Sequence, residues 1–96
     1  MIEHQGVILN LNDATVEYQQ IKIELTKNEF KILQLLLENK SKIVSREEIM
    51  ECLWLSDSFI DDNTLTVNVT RLRKRLNDIG LENFIKTKKG IGYMVE

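Results

Sequence analysis

The sequence predicts an α+β fold in which three helices sit between an N-terminal group of strands and a C-terminal β-hairpin. Three observations carry that prediction. Residues 7–25 contain three five-residue segments with partial alternation, VILNL, ATVEY and IKIEL, parted by Asn12-Asp13 and Gln19-Gln20. Two later segments open with the same helix-starting chemistry, Thr26-Lys27-Asn28-Glu29 and Ser45-Arg46-Glu47-Glu48. Residues 61–80 then space their apolar side chains at alternating steps of four and three, which is the period of one helix face.

Residues 1–6 read as a ragged terminus or the end of a linker, because they are polar and carry no sustained pattern. The three segments after them read as short antiparallel strands joined by tight turns, Asn12-Asp13 being better turn chemistry than Gln19-Gln20. In the first helix Thr26 and Glu29 form a capping box and Leu25 and Phe30 a hydrophobic staple. It runs to about Asn39 and buries Phe30, Leu33, Leu36 and Leu37. Ile43-Val44 is a short extended piece. Ser45 and Glu48 then repeat the box, with Val44 and Ile49 repeating the staple, and this second helix ends near Trp54. Residues 55–60 form a loop. After the third helix, residues 84–87 and 91–96 flank Lys88-Lys89-Gly90 as the two strands of a terminal hairpin.

The third helix has two different faces. Leu65, Val69, Leu72, Leu76 and Ile79 form one continuous apolar stripe. Asn63, Thr66, Val67, Thr70, Arg71 and Lys74 lie opposite, with Arg73 and Arg75 on the flanks. Asp61 or Asp62 caps the start, and Gly80 is placed to end the helix in the left-handed region with Leu81 folded back on Leu76. Cations, short hydroxyls, an amide and one apolar group on one face are the equipment for the major groove of DNA. Arg forks onto guanine, Thr and Asn make short hydrogen bonds, and a small apolar group meets the thymine methyl. A basic amphipathic helix is also a common solvated surface element, so the helix alone leaves both readings open.

Composition bounds the alternatives. Ninety-six residues make one domain, read over 1–96, with a single modest core. One cysteine, Cys52, excludes an internal disulfide, reads as a small buried residue and fits a reducing cytosol. No signal peptide is visible, and the longest uninterrupted apolar run, residues 52–55, is far too short to cross a bilayer. The lone His4 has no nucleophile or carboxylate constellation around it, and there is no glycine-rich phosphate loop or zinc spacing. Asp61-Asp62 is read as a cap rather than a metal site, so no enzyme, metal or cofactor is expected. The net charge of −2 conceals a segregation. Residues 1–63 hold 6 basic and 12 acidic side chains, residues 64–96 hold 7 basic and 3 acidic ones. Screening over a Debye length of roughly 8–10 Å lets two such regions act separately.

The segments LTxxEFxIL, a second helix ending in Trp, TLTVNVTRLRKRL and a terminal TKKGIGY together resemble the OmpR/PhoB-type winged-helix domain, the DNA-binding half of bacterial two-component response regulators. The resemblance spans residues 7–95, and its most specific parts are V-N-V-x-R-L-R-K-x-L in the third helix and T-x-x-G-x-G-Y in the hairpin. The form DDNTLTVNVTRLRKRL resembles the branch that senses antimicrobial peptides such as bacitracin.

The resemblance implies a winged helix-turn-helix, with a recognition helix over about 62–79 in the major groove and a wing over about 87–93 at the minor groove. It also implies roles for individual residues. Arg71 matches a base-reading position. Asn68, Thr70 and Arg73 match backbone or neighbouring base contacts, and Val67 an apolar contact to bases. Asn63, Thr66 and Lys74 complete the face, with Thr87 in the wing. Lys89 stands where many members have Arg reaching into the minor groove, keeping the charge without the planar fork. Trp54 is read as a core anchor whose indole N–H can also reach a phosphate. The loop over 55–60 matches a segment proposed to touch RNA polymerase. The implied partners are double-stranded DNA carrying a direct-repeat operator, a receiver domain absent from this chain, and a second copy, all in the cytoplasm and none at a membrane. The rival readings are a winged helix used as a protein–protein interaction module and one that recognises RNA.

Overall fold

The computed structural model describes residues 2–55 and 60–96. The expected loop over 55–60 therefore lies largely outside the described residues. In order, the elements are β1 (Ile2–His4), β2 (Val7–Asn10), β3 (Thr15–Tyr18), β4 (Ile21–Glu24), α1 (Lys27–Glu38), β5 (Val44–Ser45), α2 (Arg46–Leu55), α3 (Asp62–Asp78), β6 (Ile85–Lys88) and β7 (Gly92–Val95). The first four strands make an antiparallel sheet in sequential order, and the last three make a second sheet in the order β5-β7-β6.

The N-terminal sheet corrects one expectation. Residues 2–4 are not a ragged end but a fourth strand, with Ile2 opposite Leu9 and His4 opposite Val7. The local signal is weak because the strand carries a single apolar residue. Its order comes from the β2 ladder and from the far end of the chain. The ring nitrogen of His4 is hydrogen-bonded to the carbonyl of Glu96, and Gln5 Nε2 donates to the same oxygen at 3.1 Å. Gln5 and Gly6 form the two-residue turn, both at positive φ (52° and 82°), as a type I′ hairpin requires. Gln19 and Gln20 turn β3 into β4 with φ of 49° and 70°. Neither is glycine, asparagine or aspartate, so this turn holds side chains where the left-handed region disfavours them.

α1 starts as its sequence requires. Glu29 N donates to Thr26 Oγ1 (3.2 Å) and Thr26 N donates to Glu29 Oε1 (2.9 Å), which closes the capping box. At α2 the amide of Glu48 donates to Ser45 Oγ (3.1 Å), while Ser45 also pairs with Gly92 of the second sheet. Both staple pairs, Leu25 with Phe30 and Val44 with Ile49, are buried. α3 is capped by Asp61, whose carboxylate accepts from Thr64 N at 2.7 Å. It closes as a Schellman motif: Gly80 N donates to Asn77 O (3.0 Å), Leu81 N donates to Leu76 O (2.8 Å), and Gly80 has φ of +97°.

The core is the meeting place of these elements. Ile32, Leu33, Leu36 and Leu37 of α1, Ile49 and Leu53 of α2, and the whole α3 stripe of Leu65, Val69, Leu72, Leu76 and Ile79 are buried together with Val7, Leu9 and Val16 of the sheet. Gly92 marks the tightest point. A Cβ there would lie 2.0 Å from the carbonyl oxygen of Val44, so the crossing of β5 and β7 admits no side chain.

Replacing Gln19 and Gln20 by Asn and Gly should raise stability by about 0.5–1 kcal/mol, because both new residues accept positive φ. Urea unfolding of the two chains measures it, and an unchanged or lower midpoint would show that the turn carries no strain. Hydrogen bonds from the hydroxyl and amide of Thr64 hold the Asp61 carboxyl below its ordinary value of 3.8. A depressed folded-state value stabilises the fold above the unfolded value, and that contribution disappears as pH falls through the folded one. Asp61→Asn keeps a capping oxygen but cannot titrate. Its thermal midpoint should therefore fall less steeply than that of the parent chain below about pH 4.

Candidate nucleic-acid interface

Burial of the apolar stripe turns the opposite side of α3 to solvent. Asn63, Thr66, Val67, Thr70, Arg71 and Lys74 are all exposed there, Val67 to 45%. Arg71 and Lys74 meet no hydrogen-bond or ion-pair partner among the described residues, so their charges face outward unspent. Thr70 Oγ1 donates to Thr66 O at 2.9 Å and keeps its acceptor lone pairs for a ligand.

Each flank of α3 is tied to a different element. On the α1 side Arg75 Nε lies 2.9 Å from Oε1 and 3.1 Å from Oε2 of the buried Glu29. The carboxylate that closes the α1 capping box thus also holds the third helix. On the other side Arg73 Nη2 donates to Thr87 Oγ1 of β6 at 2.8 Å. That bond sets the hairpin beside the helix. The hairpin turn is closed by Ile91 N donating to Lys88 O at 2.9 Å, with Gly90 at φ +77° in the position that needs it. Lys89 and Ile91 are exposed at its tip, and Lys88 is half-buried.

Three expected site residues stand differently. Asn68 is buried, and its Nδ2 donates to Thr64 O at 2.9 Å within α3, so it points along the α1 flank and not outward. Arg73 is half-buried and engaged with Thr87, which makes it a strut between helix and wing. Trp54 is no core anchor, since it is 58% exposed. α2 buries Ile49 and Leu53, four residues apart, and the next residue is rotated by 100° onto the open side. There Trp54 lines a groove of about 720 Å³ with Met50, Leu55 and Ile60, edged by Glu47, Glu51 and Asp61. Cys52 is half-buried rather than fully buried.

Arg46 is the residue that sequence reasoning passed over. Its Nε donates to Asp62 Oδ1 (2.8 Å) and its Nη1 to Tyr93 OH (2.6 Å). Its Nη2 donates to Asp62 O (2.7 Å) and Thr66 Oγ1 (2.8 Å). The bond to Asp62 holds the guanidinium above its usual range. A signal did exist. A cation at the first position of a helix opposes the macrodipole, so Arg46 needed a compensating anion from elsewhere.

With this geometry in place, the relatives are informative. The family described as "Transcriptional regulatory protein, C terminal" matches residues 19–95. The chain is 50% identical over 91 residues to the sensory transduction protein BceR of Halalkalibacterium halodurans, covering 95% of this chain and 39% of that protein. It therefore spans about two-fifths of the curated relatives it matches. Among solved structures, the C-terminal domain of the nisin resistance regulator NsrR, a lantibiotic response regulator, superposes with a TM-score of 0.89 at 40% identity, covering 99% of this chain and 96% of that one. The Klebsiella pneumoniae RstA DNA-binding domain, solved in complex with its RstA box, gives 0.80 at 25% identity over 98% and 94%. The third helix, with its buried stripe and outward basic face, and the adjoining hairpin both lie within the matched residues, and the chain belongs to the transcriptional regulatory protein C-terminal family, the OmpR/PhoB-type winged-helix domains.

Proposed function

We propose that this chain is the sequence-specific DNA-reading module of a longer response regulator, with α3 in the major groove and the β6–β7 wing at the adjacent minor groove. The observation that carries the reading is the joint surface of helix and wing. Among the described residues Arg71 and Lys74 stand unpaired on the outer face of α3, Lys89 stands at the wing tip, and the Arg73–Thr87 bond sets the two parts side by side. Two carboxylates near this surface are spent inside the fold, Asp62 on Arg46 and Glu29 on Arg75. Phosphate contacts from the cations supply affinity, and Arg71, Val67 and Thr70 read base edges. Asn63 and the acceptor of Thr70 extend the polar contacts, and Trp54, exposed in the groove that Asp61 also lines, is the further phosphate contact of this reading.

The kinship to BceR and to the NsrR domain supports membership of the branch that answers antimicrobial peptides. The further three-fifths of such relatives leaves room for a receiver, whose state would govern pairing of two copies on a direct repeat. The apolar groove of Met50, Trp54, Leu55 and Ile60 supports a contact between the 55–60 loop and RNA polymerase. Among the described residues no helix is long and apolar enough to cross a membrane, and a cytoplasmic regulator is the reading in keeping with DNA as partner.

Truncation separates the roles. Arg71→Ala should cost about 1–3 kcal/mol on the selected duplex and little on one changed at the contacted pair, so discrimination relaxes. Lys89→Ala should weaken all duplexes alike and lower the salt slope by about one. Anisotropy titrations at several salt concentrations, using a duplex selected by the parent chain from a random pool, measure both. If Arg71→Ala weakens every duplex equally, Arg71 is a phosphate clamp, and base reading falls to Thr70 or Asn63, because Asn68 is buried. Failure of the parent chain to select any duplex, or binding without salt dependence, would overturn the DNA reading itself.

A further inference from the structure

The recognition helix and the wing are held together at one rung of the hairpin. Tyr93 of β7 stands opposite Thr87 of β6 in the ladder. Thr87 takes the bond from Arg73, and Tyr93 OH takes the bond from Arg46. The Arg46 side continues further. Its side chain reaches Asp62 and Thr66 in the first turns of α3, and its amide donates to Ile91 O, next to the wing tip, at 3.2 Å. The guanidinium also lies 5.8 Å from the centre of the Tyr93 ring. A single side chain, only 24% exposed, therefore joins the start of α2, the start of α3 and the wing.

We propose that Arg46 is a specificity-determining positioning residue: it sets the spacing between the recognition helix and the wing, and so the register between major-groove and minor-groove contacts, without itself touching DNA. This rests on the DNA reading above. The chemistry explains why arginine is needed. The planar fork sends Nε, Nη1 and Nη2 in three fixed directions, to a carboxylate, a phenol, a carbonyl and a hydroxyl at once. Lysine has the same charge but one nitrogen, and cannot bridge Asp62 to Tyr93 in that geometry. The node also neutralises Asp62, whose carboxylate otherwise sits exposed at the reading end of α3. Thr66 is drawn in as well. Its hydroxyl accepts from Arg46 and donates to Asp62 O at 3.3 Å, so it orients the helix start instead of serving a base.

The test compares Arg46→Lys, Arg46→Ala and Tyr93→Phe with the parent chain, on the selected duplex and on duplexes with single pairs changed under the helix or under the wing. Tyr93→Phe deletes one hydroxyl and keeps the ring, so it remains informative even if Arg46→Ala fails to fold. Positioning predicts that Arg46→Lys and Tyr93→Phe each narrow the discrimination between selected and wing-side-changed duplexes by about fivefold, the scale of a lost contact network. The salt slope and the affinity for random DNA should stay as in the parent. If Arg46→Lys behaves as the parent does, the charge alone matters and the proposal fails. If Arg46→Ala lowers the slope by about one and weakens all duplexes equally, Arg46 is a phosphate ligand and the proposal also fails. A parent chain that selects no duplex condemns the DNA reading instead, and it is distinguished by appearing before any substitution is made.

Discussion

The rotation of α3 about its own axis is the constraint on which the remaining geometry depends. A helix that is to read a groove must present the same residues every time, and a turn of one residue's width would replace the outward face with a flank. Five buried apolar side chains, Leu65, Val69, Leu72, Leu76 and Ile79, resist that rotation from below. Burial of each is worth roughly 1.5–3 kcal/mol, so the stripe supplies most of the helix's anchoring energy. Polar ties on the two flanks, Arg75 to Glu29 and Arg73 to Thr87, stay partly open to solvent and add about 0.5–1 kcal/mol apiece. Their greater effect is geometric, since they act on opposite sides of the axis.

The same polar groups serve more than one element, and this is how a small chain fixes its parts. Glu29 closes the first turn of α1 and receives Arg75. Ser45 caps the α2 start while pairing with Gly92 in the wing sheet. Gly92 itself lets β7 approach Val44 closely enough for that pairing. With a core of modest size, shared contacts let the sheet, the helices and the wing form as one cooperative unit. Loss of a shared group is then felt at two places.

Charge segregation has a matching structural cause. Along the chain the acidic residues outnumber the basic ones up to residue 63, yet a polyanion can still approach the C-terminal third. Asp62, at the start of α3, is engaged by Arg46. Among the described residues, Arg71, Lys74 and Lys89 are left with no carboxylate to neutralise them. Net charge says little about such a surface; what matters is which charges are consumed within the fold.

The amino-acid sequence by itself determined the element order from β2 onward, the α1 capping box, the Schellman ending of α3, and the division of that helix into a core stripe and an outer face. These are local: each depends on residues within four or five positions of one another, where propensity, capping and periodicity act. It also carried the family resemblance, through V-N-V-x-R-L-R-K-x-L and T-x-x-G-x-G-Y. Tertiary structure alone decided the rest. Residues 2–4 became a strand because β2 and Glu96 were there to bond them. Trp54 turned outward because Ile49 and Leu53 already filled the buried side of α2. Asn68 and Arg73, read as groove contacts, were claimed by Thr64 and Thr87. Arg46, to which the capping sequence assigned no role, became the junction of helix and wing because Asp62, 16 residues on, and Tyr93, 47 residues on, converge on it. No local rule encodes such a convergence: a guanidinium's partners are chosen by the path of the whole chain, and only the folded arrangement brings them within bonding distance.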